Sequence, residues 1–162
     1  MSLHPSFPNP VNELAARSVA GLVVLTSVLA IAAQLPWLSI VLAVGFLLRV
    51  LWGPRFDPFG QLATKVIAPR LGHARLVPGP PKRFAQGMGT VFTTVAALLF
   101  FALDATTAGY AVLGVLVVAA SLEAFAGFCL GCQVFALLMR AGVIPESVCE
   151  DCSDIWARRA AA

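Results

Sequence analysis

The chain has 162 residues, of which 59% are hydrophobic and only 12% are charged. Soluble domains carry about 25% charged residues, so this composition excludes an ordinary soluble domain and predicts a one-domain membrane protein whose apolar side chains face lipid. The basic residues do not alternate with aromatic ones on a polar surface, and nothing in the sequence therefore indicates nucleic-acid binding.

Four apolar runs have lengths close to the roughly 17–25 residues that cross a bilayer. The predicted fold is therefore all-α and integral to the membrane, with four transmembrane helices at about 15–33, 38–52, 90–103 and 110–139, inside a membrane domain of residues 15–140. The triplet Ala30-Ile31-Ala32 is similar to a signal-peptide cleavage site, but the region before it is long and nearly neutral. Four spans are the favoured interpretation.

Three polar regions surround the spans. The proline-rich residues 1–14 are predicted to be an irregular lead-in. Residues 55–88 separate the second and third spans, and within them residues 59–71 place apolar side chains at helical spacing, which predicts a short interfacial helix. Residues 141–162 are predicted to be a polar tail with a short acidic helix over 146–158.

The distribution of positive charge predicts the orientation. The segment between the second and third spans carries Lys or Arg at 55, 65, 70, 75, 82 and 83 against one acid, Asp57, whereas the loops after the first and third spans carry none. Cytosolic loops are enriched in Lys and Arg, so this segment is predicted to be cytosolic. With four spans, both termini then lie in the cytosol as well.

The four cysteines form two Cys-x-x-Cys pairs, Cys129 with Cys132 and Cys149 with Cys152. Residues three apart lie on one face of a helix, so the thiols of the first pair can meet. If the fourth span is unbroken, this pair lies about 12–16 Å inward of Arg140, in or at the edge of the apolar zone. The second pair lies in the predicted cytosolic tail.

Three interpretations of the cysteines stay open. Two dithiols favour thiol–disulfide exchange or sulfur relay, with Cys132 as the primary nucleophile and Cys129 as its partner. A turn near Gly142 would bring Cys149 and Cys152 back toward this pair, where they would be the relay to a soluble donor. The spacing also matches a four-cysteine zinc site, which would make the protein a non-enzymatic membrane scaffold. The third interpretation is inert packing residues. No other motif identifies a cofactor.

Glu123 lies inside the fourth span, where a charge is costly and commonly functional. A structural interpretation pairs it with Arg49 of the second span, or with a cation of the polar segment folded inward. A functional interpretation makes it a proton acceptor or a ligand beside the first cysteine pair. Cys129 follows six residues later, however, which puts the two side chains on different faces of an unbroken helix.

Residues 79–87, which begin Gly-Pro-Pro-Lys-Arg, are predicted to form a rigid turn that presents Lys82 and Arg83 before the third span. One interpretation makes these cations topology determinants and lipid-headgroup anchors. A sharper hypothesis joins them to Arg55 in an anion pocket at a helix N-terminus, which would bind a phosphate or a small sulfur oxyanion.

Three motifs carry a resemblance to a known family: Phe-Asp-Pro-Phe-Gly at 56–60, Gly-Pro-Pro-Lys-Arg-Phe-Ala-Gln at 79–86 and Gly-Phe-Cys-Leu-Gly-Cys at 127–132. Over about residues 9–140 the chain resembles a family of bacterial integral-membrane proteins of unknown function. The resemblance implies four spans in a bacterial inner membrane and thioredoxin-like or sulfurtransferase partners, but no activity. A transporter function would require a homo-oligomer of a chain with so few spans.

Overall fold

The computed structural model describes residues 7–149, and within this range the chain is mainly helical. The helices are α1 Glu13–Ala32, α2 Leu38–Trp52, α3 Pro58–Leu62, α4 Ala68–Leu71, α5 Gly79–Phe101, α6 Thr106–Ala126 and α7 Leu130–Arg140. A π-helical turn, Ala63–Ile67, joins α3 to α4, and short 3-10 turns lie at Gly53–Arg55 and Glu146–Val148. Two-residue strands, β1 Val11–Asn12 and β2 Leu76–Val77, pair antiparallel.

Four helical stretches are long and apolar enough to cross a membrane: α1, the stretch from α2 through α4, α5 and α6. Large apolar side chains cover their outer surface, including Leu25, Val91 and Val118, which are 68%, 63% and 62% exposed. Such a surface is stable in lipid and not in water. The prediction of an all-α membrane protein with four spanning helices is confirmed.

The bundle packs α1 against α6, α2 against α5, and α5 against α6. Its core contains Val23, Leu42 and Leu113, which are almost fully buried. Small residues let the helices approach closely, as is common between membrane helices. At Gly109, for example, an added Cβ would lie 2.6 Å from the Phe100 ring, so a larger side chain would separate α5 from α6.

The predicted interfacial helix at 59–71 is helical throughout, but it joins α2 after only a short break. Of the predicted irregular lead-in, residues 1–6 lie outside the described part, whereas residues 11–12 form β1. Asn12 then begins α1, because its side-chain oxygen accepts a hydrogen bond from the Leu14 backbone N–H at 3.0 Å. This capping interaction fixes the helix start.

The predicted start of the third span is wrong by about three turns. The helix α5 begins at Gly79, not near residue 90, and the predicted rigid turn at 79–87 is its amino-terminal part. Proline is tolerated in the first turn of a helix, where the missing N–H would have no helical partner and where the proline φ is already suitable. Pro80 and Pro81 therefore begin this helix and do not interrupt it.

The predicted unbroken fourth span is also wrong. The helix α6 ends at Ala126, where Gly127 adopts a left-handed conformation with φ +65°, and α7 begins at Leu130. The backbone N–H groups of Gly127 and Phe128 donate to the carbonyls of Glu123 and Leu122, which closes the helix end. The predicted depth of Cys129 and Cys132 inward of Arg140 assumed one continuous fourth span, so it does not apply.

After α7 the chain turns at Gly142, which has φ +72°, as predicted. Cys149 then packs against Phe135 of α7 in a small apolar cluster with Phe84, Met139 and Ile144. Of the predicted tail helix at 146–158, the described part contains the 3-10 turn Glu146–Val148, and the rest, with Cys152, lies outside the described residues.

Candidate functional site

The cysteine pair lies at the amino-terminal end of α7. Cys129 precedes the helix with extended φ and ψ of −87° and 103°, and its sulfur accepts a hydrogen bond from the Cys132 backbone N–H at 3.3 Å. Serine, threonine and aspartate commonly hold this capping position, where a side-chain acceptor satisfies a free N–H of the first turn. The thiol of Cys129 takes that role here.

The sulfur atoms of Cys129 and Cys132 lie at disulfide distance, with their Cα atoms 5.2 Å apart. The prediction that the two thiols can meet is confirmed. The two residues differ in access, because Cys129 is only 5% exposed whereas Cys132 is half-buried. A reagent or partner from outside the bundle therefore reaches the Cys132 sulfur more easily.

Close packing between α7 and α5 holds the pair in position. An added Cβ at Gly131 would lie 2.6 Å from both the Cα and the Cβ of Ala85, so this position has no room for a larger residue. One turn further along α7, the Phe135 ring packs on Phe84 with centroids 5.6 Å apart. The segment between the two cysteines is thus docked directly on α5.

A cavity of about 160 Å³ lies between α1, α5, α6 and α7, and both Cys129 and Glu123 line it. Most of the remaining lining is apolar, and Gln86 adds an amide group. The expectation that Glu123 and Cys129 lie on different helix faces assumed an unbroken helix and does not apply, because the helix ends before Gly127. The carboxylate and the sulfur both line this one partly open cavity.

Glu123 forms a partly buried ion pair with Lys82, whose Nζ lies 2.6 Å from a carboxylate oxygen of Glu123. The sequence suggests Arg49 or a cation of the polar segment as the partner of Glu123. The partner is the second of these, Lys82 at the start of α5. Arg49 instead binds Asp57 at 2.7 Å and donates to the Gln86 side chain at 2.9 Å. Gln86 thus links the Arg49–Asp57 pair to the cavity that Glu123 lines.

The three cations of the predicted anion pocket do not lie together. Lys82 is buried and paired with Glu123, whereas Arg83 is exposed, and its Nε donates to the Val50 carbonyl at 2.9 Å. Arg55 lines a different depression, next to Trp52 and Lys65. The predicted placement of Lys82 and Arg83 at a helix N-terminus is correct, but Arg83 alone of the two is accessible to an anion.

The Arg49–Asp57 pair and Gln86 are absent from the sequence-predicted site residues. A local signal was present for Asp57, because an aspartate directly before a proline is typical of a helix start. Its carboxylate accepts a hydrogen bond from the Gly60 backbone N–H at 2.6 Å and also binds Arg49. No local pattern identifies the partners of Gln86, because they lie on other helices.

The predicted four-cysteine metal site includes Cys152, which lies outside the described residues, so only three of its ligands are placed. Cys149 packs in the cluster around Phe135, and no group of three or more metal-ligating side chains is found in this part of the chain. A tetrahedral zinc site needs its ligands around one point. Nothing in the described geometry favours zinc at Cys129 and Cys132.

The position at the start of α7 has a chemical consequence. The aligned peptide dipoles of a helix leave partial positive charge at its amino-terminal end, which stabilises an anion there. The free N–H of Cys132 adds a hydrogen bond to the same sulfur. The start of α7 therefore offers a partial positive charge and one N–H donor to the Cys129 sulfur.

The comparisons with known proteins identify a family and assign no activity. A family model described as a domain of unknown function (DUF4395) matches residues 11–140, which include both breaks and the first cysteine pair. No curated protein and no solved structure matches the chain.

Proposed function

The chain belongs to the DUF4395 family, whose description names no activity, and we propose from the site that it is a membrane thiol–disulfide exchange protein. Cys129 and Cys132 are the reacting residues. A soluble dithiol protein, thioredoxin-like or a sulfurtransferase, is the partner. The observation that carries this proposal is a Cys-x-x-Cys pair at disulfide distance whose first sulfur caps a helix N-terminus.

The exchange reaction follows from the difference in access. A partner thiolate attacks the half-buried Cys132 sulfur, and the bond between Cys129 and Cys132 breaks as the new mixed disulfide forms. The electron pair of the broken bond goes to Cys129, which leaves as a thiolate stabilised by the start of α7. The second partner thiol then attacks the partner sulfur of the mixed disulfide and releases Cys132.

The balance of this reaction is two electrons and two protons. The partner dithiol is oxidised to a disulfide, and the Cys129–Cys132 disulfide is reduced to two thiols that take up the two partner protons. The reverse reaction oxidises the pair, with a partner disulfide as the oxidant. A sulfur-relay version would leave a persulfide on Cys132, and no observation favours it over exchange.

Glu123 is the group that handles the proton of Cys129. It shares the cavity with that sulfur, and a carboxylate within such a cavity can give a proton to a leaving thiolate or take one from the thiol. The ion pair with Lys82 positions the carboxylate at the edge of this cavity. Cys149 packs on Phe135, one helical turn along α7 from Cys132. The predicted relay through Cys149 and Cys152 would be a second route to the partner, beside direct attack on Cys132.

The proposed location is a bacterial inner membrane, with both termini and the site on the cytosolic side. The Arg17 side chain of α1 donates to the Ala124 and Phe125 carbonyls of α6, so the start of α1 and the end of α6 lie at one end of the bundle. The basic segment with β2 is joined to the same end by the pairing of β1. Positive charge at one end favours the cytosol.

Trapping of a mixed disulfide tests the proposal. The starting chain carries Cys149→Ser and Cys152→Ser, is purified in detergent, and reacts with a protein of the thioredoxin class whose second active-site cysteine is replaced by serine. The remaining cysteine of that protein is activated as a mixed disulfide with thionitrobenzoate, which is the leaving group. Cys129→Ser removes the resolving thiolate and is expected to accumulate a mixed disulfide at Cys132. Cys132→Ser is the matched control, because its remaining thiol is only 5% exposed, and it is expected to trap at least about tenfold less.

Equal trapping by the two variants would contradict the assignment of Cys132 as the attacked residue. No trapping by either variant, with both folded, would contradict the proposed exchange function.

A further inference from the structure

A groove of about 890 Å³ lies beside the amino-terminal half of α5. Its walls are mainly apolar and include Phe84 and Phe92 of α5 and Phe135 of α7, whereas Arg83 lies at its polar end. Neither Cys129 nor Cys132 lines the groove, so an inference about it is independent of thiol exchange.

The length of the groove matches the hydrocarbon of one leaflet. The part of its lining along α5 from Arg83 to Phe92 is about 14 Å long at ~1.5 Å per residue. Half of a bilayer core is about 15 Å thick. The groove can therefore take an extended acyl chain from the polar end of the bundle into the apolar part.

The charge at the polar end is positive. The two ion pairs neutralise Asp57 and Lys82, and the five remaining cations between residues 53 and 83 are all exposed. Arg83 is the one of these five that lines the groove, and its Nε–H···O bond to Val50 fixes the guanidinium there. The start of α5 adds the positive end of a helix dipole at the same place.

We propose that this groove binds one phospholipid with a net negative headgroup. The headgroup phosphate lies against the Arg83 guanidinium, which binds phosphate oxygens by charge-assisted hydrogen bonds. One acyl chain lies along α5 toward Phe92 and Val91. Bilayer lipid is the source of the ligand, because the groove beyond Arg83 is apolar and continues into the membrane-facing surface.

Gly87 offers a way to block the chain-binding part. It lines the groove, and an added Cβ at this position would have no neighbour within 4 Å. Gly87→Leu therefore places a larger side chain in the groove with no clash at its Cβ. Gly114→Leu is the matched control, because Gly114 of α6 is also without a neighbour within 4 Å but does not line the groove.

The experiment titrates the full-length protein in detergent micelles with phosphatidylglycerol and, separately, with phosphatidylcholine of the same acyl chains, and counts bound lipid by native mass spectrometry. The wild-type protein is expected to bind one phosphatidylglycerol at least about fivefold more tightly than phosphatidylcholine. Arg83→Gln should weaken phosphatidylglycerol binding about fivefold to tenfold and leave phosphatidylcholine unchanged. Gly87→Leu should weaken both lipids, and Gly114→Leu neither.

Equal affinity of the wild-type protein for the two lipids would overturn the proposal, as would unchanged phosphatidylglycerol binding by Arg83→Gln. Displacement of the lipid by millimolar inorganic phosphate would show a free-anion site and would also overturn it. If Gly87→Leu does not fold, the Arg83→Gln result decides alone. The readout contains no thiol chemistry, so this proposal and the exchange function can fail separately.

Discussion

Two breaks at the same end of the bundle each combine a glycine of positive φ with a side-chain helix cap, but the capping side chains differ. After α2, Gly53 has φ +64°, and Asp57 then caps α3 by accepting a hydrogen bond from the N–H three residues later, at 2.6 Å. After α6, Gly127 has φ +65°, and Cys129 then caps α7 in the same way, at 3.3 Å.

The two caps differ in what else they bind. The Asp57 carboxylate is almost fully buried and also forms an ion pair with Arg49. Both of its interactions therefore stabilise the fold. The Cys129 sulfur accepts one hydrogen bond from the backbone and meets a second sulfur, and it lines a cavity with Glu123. The carboxylate cap thus belongs to a structural joint, whereas the joint capped by the cysteine sulfur is the one that we propose to react.

The largest expected effect is at the structural joint. Asp57→Asn keeps a capping oxygen but leaves the Arg49 charge buried without its counterion, which should lower the free energy of unfolding by about 3–5 kcal/mol. Denaturant titration in mixed micelles measures this. Asp104→Asn is the control, because Asp104 is exposed and its positive φ of 49° is acceptable to asparagine. A loss below about 1 kcal/mol for Asp57→Asn would contradict the structural role.

The two glycines sharpen the comparison. Gly53→Ala should cost about 3 kcal/mol, because its φ and ψ of 64° and −149° are accessible essentially to glycine alone and its Cβ would lie 2.5 Å from Pro8. Gly127→Ala should cost only about 1 kcal/mol, because the ordinary left-handed region is less strained and no neighbour lies closer than 3.5 Å. The same unfolding titration compares them, and equal losses would be inconsistent with these geometries.

The proposed proton transfer by Glu123 predicts a smaller effect than these losses of stability, and it concerns the rate of thiol–disulfide exchange. Glu123→Gln should slow exchange with a dithiol protein about tenfold, because the carboxylate beside Cys129 is lost. Lys82→Gln breaks the same ion pair but keeps the carboxylate, and it should slow exchange less than about threefold. Stopped-flow measurement of both variants separates the two causes. An equal slowing would indicate that the ion pair acts only through structure.

The smallest expected effect is on stability at the reactive joint. Cys129→Ser keeps a capping oxygen, and serine is a better cap than cysteine, so the free energy of unfolding of the reduced protein should change by less than about 1 kcal/mol. The unfolding titration under reducing conditions measures it. A loss of several kcal/mol would mean that the cysteine supports structure in a way that the cap does not explain.

The sequence predicts the spans well and the joints poorly. Hydropathy and length locate α1 and α2 to within two residues at each end, because those helices end at polar or Gly-Pro segments. The end of α6 is hidden in an apolar run, where hydropathy carries no signal and the conformation of Gly127 decides. The available clue was a glycine two residues before a residue able to cap a helix.

The candidate site could be predicted in part. Spacing alone indicates that Cys129 and Cys132 meet, and burial cost alone indicates that Glu123 has a cation partner. Neither argument can identify Lys82 as that partner or bring Glu123 and Cys129 to one cavity. Those relations arise from the packing of α5 and α7, which no local pattern encodes.

Thiol counting on the gently purified wild-type protein tests the central claim most directly. Alkylation with and without prior reduction, followed by intact mass and peptide mapping, shows which cysteines are bonded. The account predicts that Cys129 and Cys132 are labelled only after reduction, and that removing the reductant in the presence of an oxidised dithiol protein restores the protected state. Full labelling without reductant, or labelling that requires a chelator and not a reductant, would contradict it.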